Sequence, residues 1–186
     1  MNIVNHFKTI THHKLLVMKY CFKVGLYKQG LLHDLSKYSF VEFSTGIKYY
    51  RGYVSPNGVQ KTVEGYSSAW LHHKGRNKHH FEYWIDYGIN EANGLKGMKM
   101  PIKYVIEMFI DRVCASKNYS KEKYTDKNPL NYYESRKHYY VLHNEVRVLL
   151  ETLLNKLAYE GEDKTFTYIK NNILKKHKDI NFAPNS

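Results

Sequence analysis

The chain has few cysteines and no long apolar run. Its two cysteines, Cys21 and Cys114, stand far apart and do not form the spacing of a metal or redox motif. Both lie in apolar helical patterns, which predicts buried free thiols in a reducing compartment. Lysines interrupt every apolar run well before it reaches membrane-spanning length, and the N-terminus has no apolar signal-peptide core. We therefore expect a cytoplasmic protein with no membrane partner.

The sequence also lacks internal repeats, low-complexity tracts and any convincing run of alternating apolar and polar residues. Apolar residues instead recur at helical spacing along most of the chain. At 186 residues, the chain is long enough for one domain with a genuine core. We predict an all-α fold in which residues 1–186 form a single-domain helical bundle.

Apolar spacing and capping residues predict the individual helices. Residues 51–66 carry turn signals and almost no periodicity, which predicts a loop that could lie over a site. Pro101 suits the first turn of a helix. The predicted helices cover residues 11–27, 41–50, 67 or 68 to 84, 101–116, 132–159 and 163–177, and the C-terminal packing helices together span about residues 132–178.

Acidic residues are scarce relative to basic ones, with 17 Asp and Glu against 29 Lys and Arg, which gives a net charge of +12. Such a surface attracts polyanions. No dense run of like charges forms a basic arm or tail. This favours a small phosphorylated substrate, such as a nucleotide, over a long polymer, and nucleic acid stays open as a partner.

Histidine, in contrast, is abundant, with 11 copies. The pair His33-Asp34 ends an apolar segment, His13 lies upstream of it, and Asp111 lies far downstream in an apolar helical pattern. Imidazole and carboxylate groups at these positions can converge on one divalent metal ion. A bound metal ion lowers the pKa of water toward neutrality, which is what a hydrolase of phosphate esters needs.

The pattern His33-Asp34-x-x-Lys37, after an upstream histidine, resembles the HD-domain superfamily of metal-dependent phosphohydrolases. The segment at residues 13–17 is similar to the first-histidine helix of that superfamily, and the segment at residues 110–115 is similar to its closing motif. The runs at residues 30–39 and 69–84 together look like a family related to that superfamily. The resemblance covers about residues 11–116 and implies that this part of the bundle is the metal-site core.

The resemblance also implies a set of metal ligands. It assigns His13, His33, Asp34 and Asp111 to one ion, with His12 as the rival of His13. Asp34 suits a bridging carboxylate if a second ion is present. Imidazoles and carboxylates together favour Mn, Fe, Co, Ni or Zn over Ca, so one or two such divalent ions are the expected cofactors.

Four further histidines lie within residues 72–80. Superfamily sites with two metals use extra histidines between the His-Asp pair and the last Asp. The resemblance therefore implies that His73 and His80 bind the second ion, with His72 and His79 in reserve. On a helix, His73 and His80 would share one face with Asn77, whereas His72 and His79 would follow another line.

Charged side chains near these histidines are candidates for catalysis and substrate binding. Arg76 is the preferred clamp because a guanidinium holds phosphate by two hydrogen bonds. Arg112 adjoins a proposed ligand, and it either contacts the substrate or pairs with an acidic neighbour. Glu82 is the candidate for proton transfer. The candidate catalytic residues are Asp34, Lys37 and Glu82, and the candidate substrate-binding residues are Lys37, His72, Arg76, Asn77, His79 and Arg112.

The resemblance implies hydrolysis of a phosphomonoester or phosphodiester, in a nucleotide, a cyclic nucleotide or a related small molecule. Two alternatives stay open. Some relatives with the same histidine and carboxylate set hold two irons and use oxygen to oxidise an organic substrate. A basic helical protein that binds a nucleotide or nucleic acid without turnover would also carry this charge, although it would not explain the clustered histidines.

Overall fold

The computed structural model describes residues 2–89 and 94–175. Over these residues the protein is an all-α, single-domain bundle with one small antiparallel hairpin, so the predicted fold class is confirmed. None of the described helices is both long enough and apolar enough to cross a membrane. The helices are α1 (Asn2–Val24), α2 (Tyr27–Leu32), α3 (Phe40–Tyr49), α4 (Pro56–Glu64), α5 (Ser68–Lys74), α6 (Ile102–Ser120), α7 (Asn128–Glu134), α8 (Asn144–Glu160) and α9 (Glu162–Tyr168), and the strands are β1 (Ile85–Tyr87) and β2 (Leu95–Gly97).

Helix α6 is the central element of the bundle. Its residues 105–110 are all buried, and Val113 and Cys114 continue this buried surface. The helix packs against α1, α2, α7 and α8, and a helix surrounded in this way is expected to be apolar on nearly all sides. Glu107 breaks that pattern, because its charged side chain lies within the buried run.

Helix α1 presents one buried stripe to the core. Along this stripe, His6, Ile10, His13 and Val17 recur at helical spacing. The sequence predicts the helix from about residue 11, but it begins at Asn2. The first turns are helical because His6 packs against two aromatic rings of the 40–50 segment, with ring centroids 5.3 and 5.8 Å apart.

Helices α8 and α9 complete the core. Leu150, Leu153 and Leu157 of α8 are fully buried in one cluster with Phe109 of α6 and Phe166 of α9. Burial of each such side chain contributes roughly 1.5–3 kcal/mol relative to exposure. This part of the bundle fixes the position of α6.

A polar contact joins α9 to α1 and α6. Tyr20 of α1 donates a hydrogen bond to Glu162 at 2.8 Å, and Lys117 of α6 donates one to the Tyr20 hydroxyl at 2.6 Å. The three groups satisfy one another at the edge of the apolar core.

Residues 176–178, the last of the predicted C-terminal helices, lie outside the described residues.

The prediction of a loop over residues 51–66 was wrong, because the segment contains α4. Ser55 precedes this helix, Pro56 is its first residue, and Gly65 ends it with a φ of 79°. Proline is preorganised for a first helical turn, and glycine accepts the left-handed conformation that stops a helix. The turn residues are therefore the boundaries of a helix.

The predicted helix over residues 67 or 68 to 84 ends early. It begins as expected, since the Ser67 hydroxyl accepts a hydrogen bond from the Trp70 amide at 3.0 Å. It ends at Lys74, before Gly75, and turns and the short 3-10 helix Phe81–Trp84 follow. The placement of His73 and His80 on one helical face was therefore wrong, because the two residues do not share a helix.

The predicted helix over residues 132–159 is in fact two helices, α7 and α8. The segment between them packs against β2, where a Cβ added to Gly97 would lie 2.5 Å from the His143 amide nitrogen and 2.6 Å from the Leu142 carbonyl carbon. His143 then caps α8, with its Nδ1 accepting a hydrogen bond from the Glu145 amide at 3.2 Å. Tertiary contact with the hairpin thus overrides the helical periodicity.

We expect Gly97→Ala to lower the free energy of unfolding by about 1–3 kcal/mol, because the new methyl group would overlap backbone atoms that cannot move independently. Thermal unfolding would measure the change. Gly58→Ala is the matched control: a Cβ added at Gly58 would meet nothing within 4 Å, and alanine is favoured over glycine in a helix by roughly 0.5–1 kcal/mol. Equal melting temperatures for the two variants would contradict this account of the hairpin contact.

Candidate metal centre

Two helices and one turn bring four of the sequence-predicted ligands together. His13 lies on the buried stripe of α1, Asp111 lies on α6, and His33-Asp34 directly follows α2. His13 Nε2 lies 2.9 Å from Asp111 Oδ1 and 3.8 Å from Asp34 Oδ2, and His33 Nε2 lies 3.3 Å from Asp34 Oδ2. We call His13, His33, Asp34 and Asp111 the first donor group; its donor atoms lie close enough together to hold a metal ion.

The backbone around His33-Asp34 explains this placement. Helix α2 ends at Leu32, and the Lys14 ammonium donates hydrogen bonds to the carbonyls of Leu31 and His33 at 2.8 and 2.9 Å, which satisfies acceptors at the end of the helix. Asp34 then adopts a left-handed conformation with a φ of 55°, which aspartate tolerates better than most residues. Both side chains consequently turn inward and are buried.

A second donor group faces the other oxygen of Asp34. His73 Nε2 and His79 Nε2 lie 3.3 and 3.4 Å from Asp34 Oδ1. We call Asp34, His73, His79 and His80 the second donor group. Its donor atoms all lie within 4.8 Å of one another. His79, which the sequence analysis kept in reserve, belongs to this group because the chain turns after Gly75.

Two buried glutamates, which the sequence analysis missed, orient these rings. Glu107 Oε1 accepts a hydrogen bond from His33 Nδ1 at 2.9 Å, and Glu42 Oε2 accepts one from His73 Nδ1 at 2.7 Å. Carboxylates at this position commonly fix the tautomer and orientation of a metal-binding histidine. A signal existed for Glu107, which interrupts an apolar run one helical turn before Asp111; the sequence around Glu42 carries no comparable signal.

Both glutamates are held in the charged form that accepts these bonds. Burial opposes ionisation, but hydrogen bonds from His33 and His79 lower the pKa of Glu107. Burial is likewise outweighed at Glu42, where the hydrogen bond and charge of His73 lower the pKa. A charged acceptor on Nδ1 leaves the Nε2 lone pair of the ring available to a cation.

Several donor atoms are buried without a hydrogen-bond partner among the described residues. They include Nε2 of His33, His79 and His80, and Oδ1 of Asp34. An unsatisfied buried polar atom costs about 1–3 kcal/mol, and cations coordinated by the two donor groups would remove that cost for all four atoms. Imidazole nitrogens and carboxylate oxygens also form a donor set that suits divalent transition metals. The donor groups therefore fit a metal ion.

The charge states of the side chains agree with this fit. Burial and the nearby Lys37 ammonium lower the pKa of His13, and burial with the neighbouring His79 and His73 holds the pKa of His80 well below its usual value. Both rings are therefore neutral. Burial opposes ionisation of Asp111, but the hydrogen bond from His13 and the nearby charge of His33 hold the pKa of this carboxyl group well below its usual range.

The environment of His33 attracts positive charge. Burial favours the neutral ring, but the carboxylates of Asp34 and Asp111 raise the pKa of His33 well above its usual value. Burial opposes ionisation of Asp34 as well, but the charges of His33 and Lys37 hold the pKa of its carboxyl group well below the usual range. A cation at this point would take the place of a proton.

Lys37 and Asp111 form the more accessible edge of the site. The Lys37 Nζ atom lies 2.6 Å from Asp34 Oδ2, and its side chain is 28% exposed, against 2% for Asp34. Asp111 has 18% of its side chain exposed. Burial opposes the charge of Lys37, but Asp34 and Asp111 outweigh it and raise the pKa of the ammonium group. A dissolved anion would therefore meet a cationic side chain at this edge.

The predicted substrate-binding residues have different environments. Arg76 is exposed, and His72 bonds to Glu42 through Nδ1 at 2.7 Å. Asn77 is buried, and its amide donates to the Ser36 hydroxyl at 2.7 Å and to the His73 carbonyl at 2.8 Å. These bonds hold the turn that carries the second donor group, and the role of Arg76 stays a prediction.

The three remaining candidates are Glu82, Arg112 and His12. Glu82 has one buried carboxylate oxygen without a hydrogen-bond partner among the described residues, and burial raises the pKa of its carboxyl group. Arg112 lies with its guanidinium carbon 5.0 Å from the centre of the Tyr140 ring. His12 is exposed and its Nδ1 lies 3.0 Å from Asn118 Oδ1, so His13 is the histidine that joins the first donor group.

Comparison with protein families adds one finding. Residues 2–156 match a family model described as a family of unknown function (DUF5662). The match includes every residue of both donor groups and both glutamates. No curated protein and no solved structure matches the chain.

We expect His73→Ala to weaken the binding of added Co²⁺ by more than the roughly 10- to 100-fold that loss of an outer partner costs, because it removes a donor that lies 3.3 Å from Asp34. Equilibrium dialysis with elemental analysis would measure the change. His72→Ala is the matched control, since His72 contacts Glu42 and lies outside both donor groups. Equal cobalt binding by the two variants would rule out His73 as a donor.

Proposed function

The chain belongs to the DUF5662 family, whose function is unknown, and from the chemistry of its site we propose that it is a metal-dependent phosphohydrolase of the HD-domain type. The substrate is a phosphomonoester or phosphodiester, in a nucleotide or a related small molecule. The cofactors are two divalent ions, chosen from Mn, Fe, Co, Ni and Zn by the mixture of imidazole and carboxylate donors. The net charge of +12 suits an anionic substrate.

The position of the Asp34 carboxylate carries this proposal. Its Oδ2 lies 3.3 Å from His33 Nε2 in the first donor group, and its Oδ1 lies 3.3 Å from His73 Nε2 in the second. A carboxylate with one oxygen directed at each group is suited to bridge two ions. Pairs of ions about 3.5–4 Å apart are typical of phosphatases and nucleases.

The ions, when bound, supply Lewis-acid polarisation of the phosphoryl oxygens and activation of a water molecule. The residues of the chain then have separate tasks. Asp34 and Asp111 provide the negative charge that holds the cations. Lys37, at the accessible edge, offsets negative charge on a phosphoryl oxygen in the transition state. Glu82, whose pKa is raised by burial, is the candidate to give a proton to the leaving group.

One feature of the site also favours a second candidate, a di-iron oxygenase. The two donor groups contain five imidazoles and two carboxylates, and imidazole suits iron as well as zinc or manganese. Elemental analysis of gently purified protein separates the two candidates. Two irons, colour and oxygen consumption would favour the oxygenase, whereas colourless protein that releases phosphate with manganese would favour the hydrolase.

We expect His33→Ala and Asp34→Ala to abolish both metal retention and turnover, because each change removes donors from the centre of the site. The measurement is phosphate release with Mn²⁺ across a panel of nucleotides and cyclic nucleotides, together with the metal content. A second phosphatase would be added to assays of diesters, so that monoester products are detected. His12→Ala is the matched control, since this exposed neighbour lies outside both donor groups. Full activity of either core variant would remove the proposal.

We expect Lys37→Met to keep both ions but to lower kcat by roughly 10²–10³, as loss of one group that stabilises transition-state charge typically does. Steady-state kinetics and metal analysis on the same sample would measure the two effects. Loss of the ions in this variant would instead mean that Lys37 supports the donor groups. Unchanged kcat would remove Lys37 from the mechanism.

A further inference from the structure

One buried carboxylate oxygen lies between the two donor groups on the side away from their Nε2 atoms. Glu107 Oε1 is 2.9 Å from His33 Nδ1 and 3.2 Å from His79 Nδ1. The two imidazole rings lie side by side, with centroids 4.4 Å apart and an interplanar angle of 35°. His33 belongs to the first donor group and His79 to the second, so a single atom contacts both.

We propose that Glu107 is a positioning residue that supports both ion positions at once. The inference rests on the two ions of the proposed function. By accepting the Nδ1 hydrogens of His33 and His79, the Glu107 carboxylate directs one Nε2 lone pair to each ion. Its charge also makes both rings stronger donors. Glu107 therefore sets the affinity of both positions without touching either ion.

The other tautomer of these two rings, with the hydrogen on Nε2 instead of Nδ1, is less favourable. If the Nδ1 atoms of His33 and His79 were unprotonated, their lone pairs would face the carboxylate oxygen. Both Nε2 hydrogens would then point into the donor groups, and neither Nε2 atom could bind an ion there. The Glu107 side chain is only 6% exposed, so water screens these contacts weakly. Donation from both Nδ1 atoms satisfies the carboxylate and leaves both Nε2 lone pairs free.

Glu42 provides a matched comparison. It is also a buried glutamate, and it also accepts hydrogen bonds from two histidine Nδ1 atoms, of His72 and His73, both at 2.7 Å. Only His73 belongs to a donor group. Loss of the Glu42 charge should therefore weaken one ion position, whereas loss of the Glu107 charge should weaken two.

The test uses Zn²⁺ as the probe and two nearly isosteric variants, Glu107→Gln and Glu42→Gln. Each is made in three backgrounds: the unchanged chain, His73→Ala to isolate the first position, and His13→Ala to isolate the second. Competition with a chromophoric chelator gives the affinities, and elemental analysis after dialysis gives the number of ions kept. The melting temperature of metal-free protein reports any general loss of stability.

We expect Glu107→Gln to weaken zinc binding by about 10- to 100-fold in both single-position backgrounds. Glu42→Gln should do so only where the second position remains. In the unchanged chain, dialysis against limiting zinc should remove both ions from the Glu107 variant and one from the Glu42 variant. NMR of ¹⁵N-labelled histidine in the zinc form should give two rings in the Nδ1–H tautomer that respond to Glu107→Gln.

An effect of Glu107→Gln on one position alone, or on neither, would overturn this role of Glu107. An equal loss of zinc from the two variants would overturn it as well, because a general effect of lost buried charge would explain that result. Failure of the proposed function looks different: wild-type protein would bind two zinc ions with the expected dependence on Glu107 and yet release no phosphate from any substrate. Failure of wild-type protein to bind zinc would overturn both.

Discussion

The buried carboxylate of Asp34 is the group on which the rest of the site depends. Removing an ionised carboxylate from water costs several kcal/mol unless charges and hydrogen bonds compensate. The compensation here comes from the Lys37 ammonium at 2.6 Å and from imidazoles near both oxygens. Lys37 and His33 lie beside Asp34 in the sequence, whereas His13 and His73 come from two distant parts of the chain. The fold must therefore bring three separate segments to one point, and the helix packing does so.

Helix α6 is the reference for that convergence. It is buried on nearly all sides, and it carries Glu107 and Asp111 on successive turns of one face. Asp111 contacts the histidine of α1, while Glu107 contacts the backs of His33 and His79. A small shift of α6 would therefore disturb donors in both groups together. The leucines of α8 that hold α6 in place thus contribute to the geometry of the site from a distance.

The sequence was sufficient for those parts of the fold in which one helix buries a regular apolar face. The central parts of α1, α3 and α6 were predicted for this reason, and so was the meeting of His13, His33, Asp34 and Asp111, through the resemblance of their motifs. The sequence was misleading where tertiary contact decides the backbone. Helix α5 ends at Gly75, and the turn that follows brings His79 to Asp34 in a way that no helical wheel predicts. Glu42 could not be found at all, because a glutamate near the start of an ordinary helix has no distinctive pattern.

The donor groups draw on residues that are as far apart in sequence as His13 and Asp111. In an unfolded chain these side chains would be scattered, so an ion held by them would bind the native state almost exclusively. Such an ion adds RT ln(1 + [ion]/Kd) to the free energy of unfolding, about 2.7 kcal/mol when its free concentration is 100 times Kd. That amount is a substantial fraction of the 5–15 kcal/mol typical of a domain. The cellular supply of the metal would then govern how long the protein persists in its folded form.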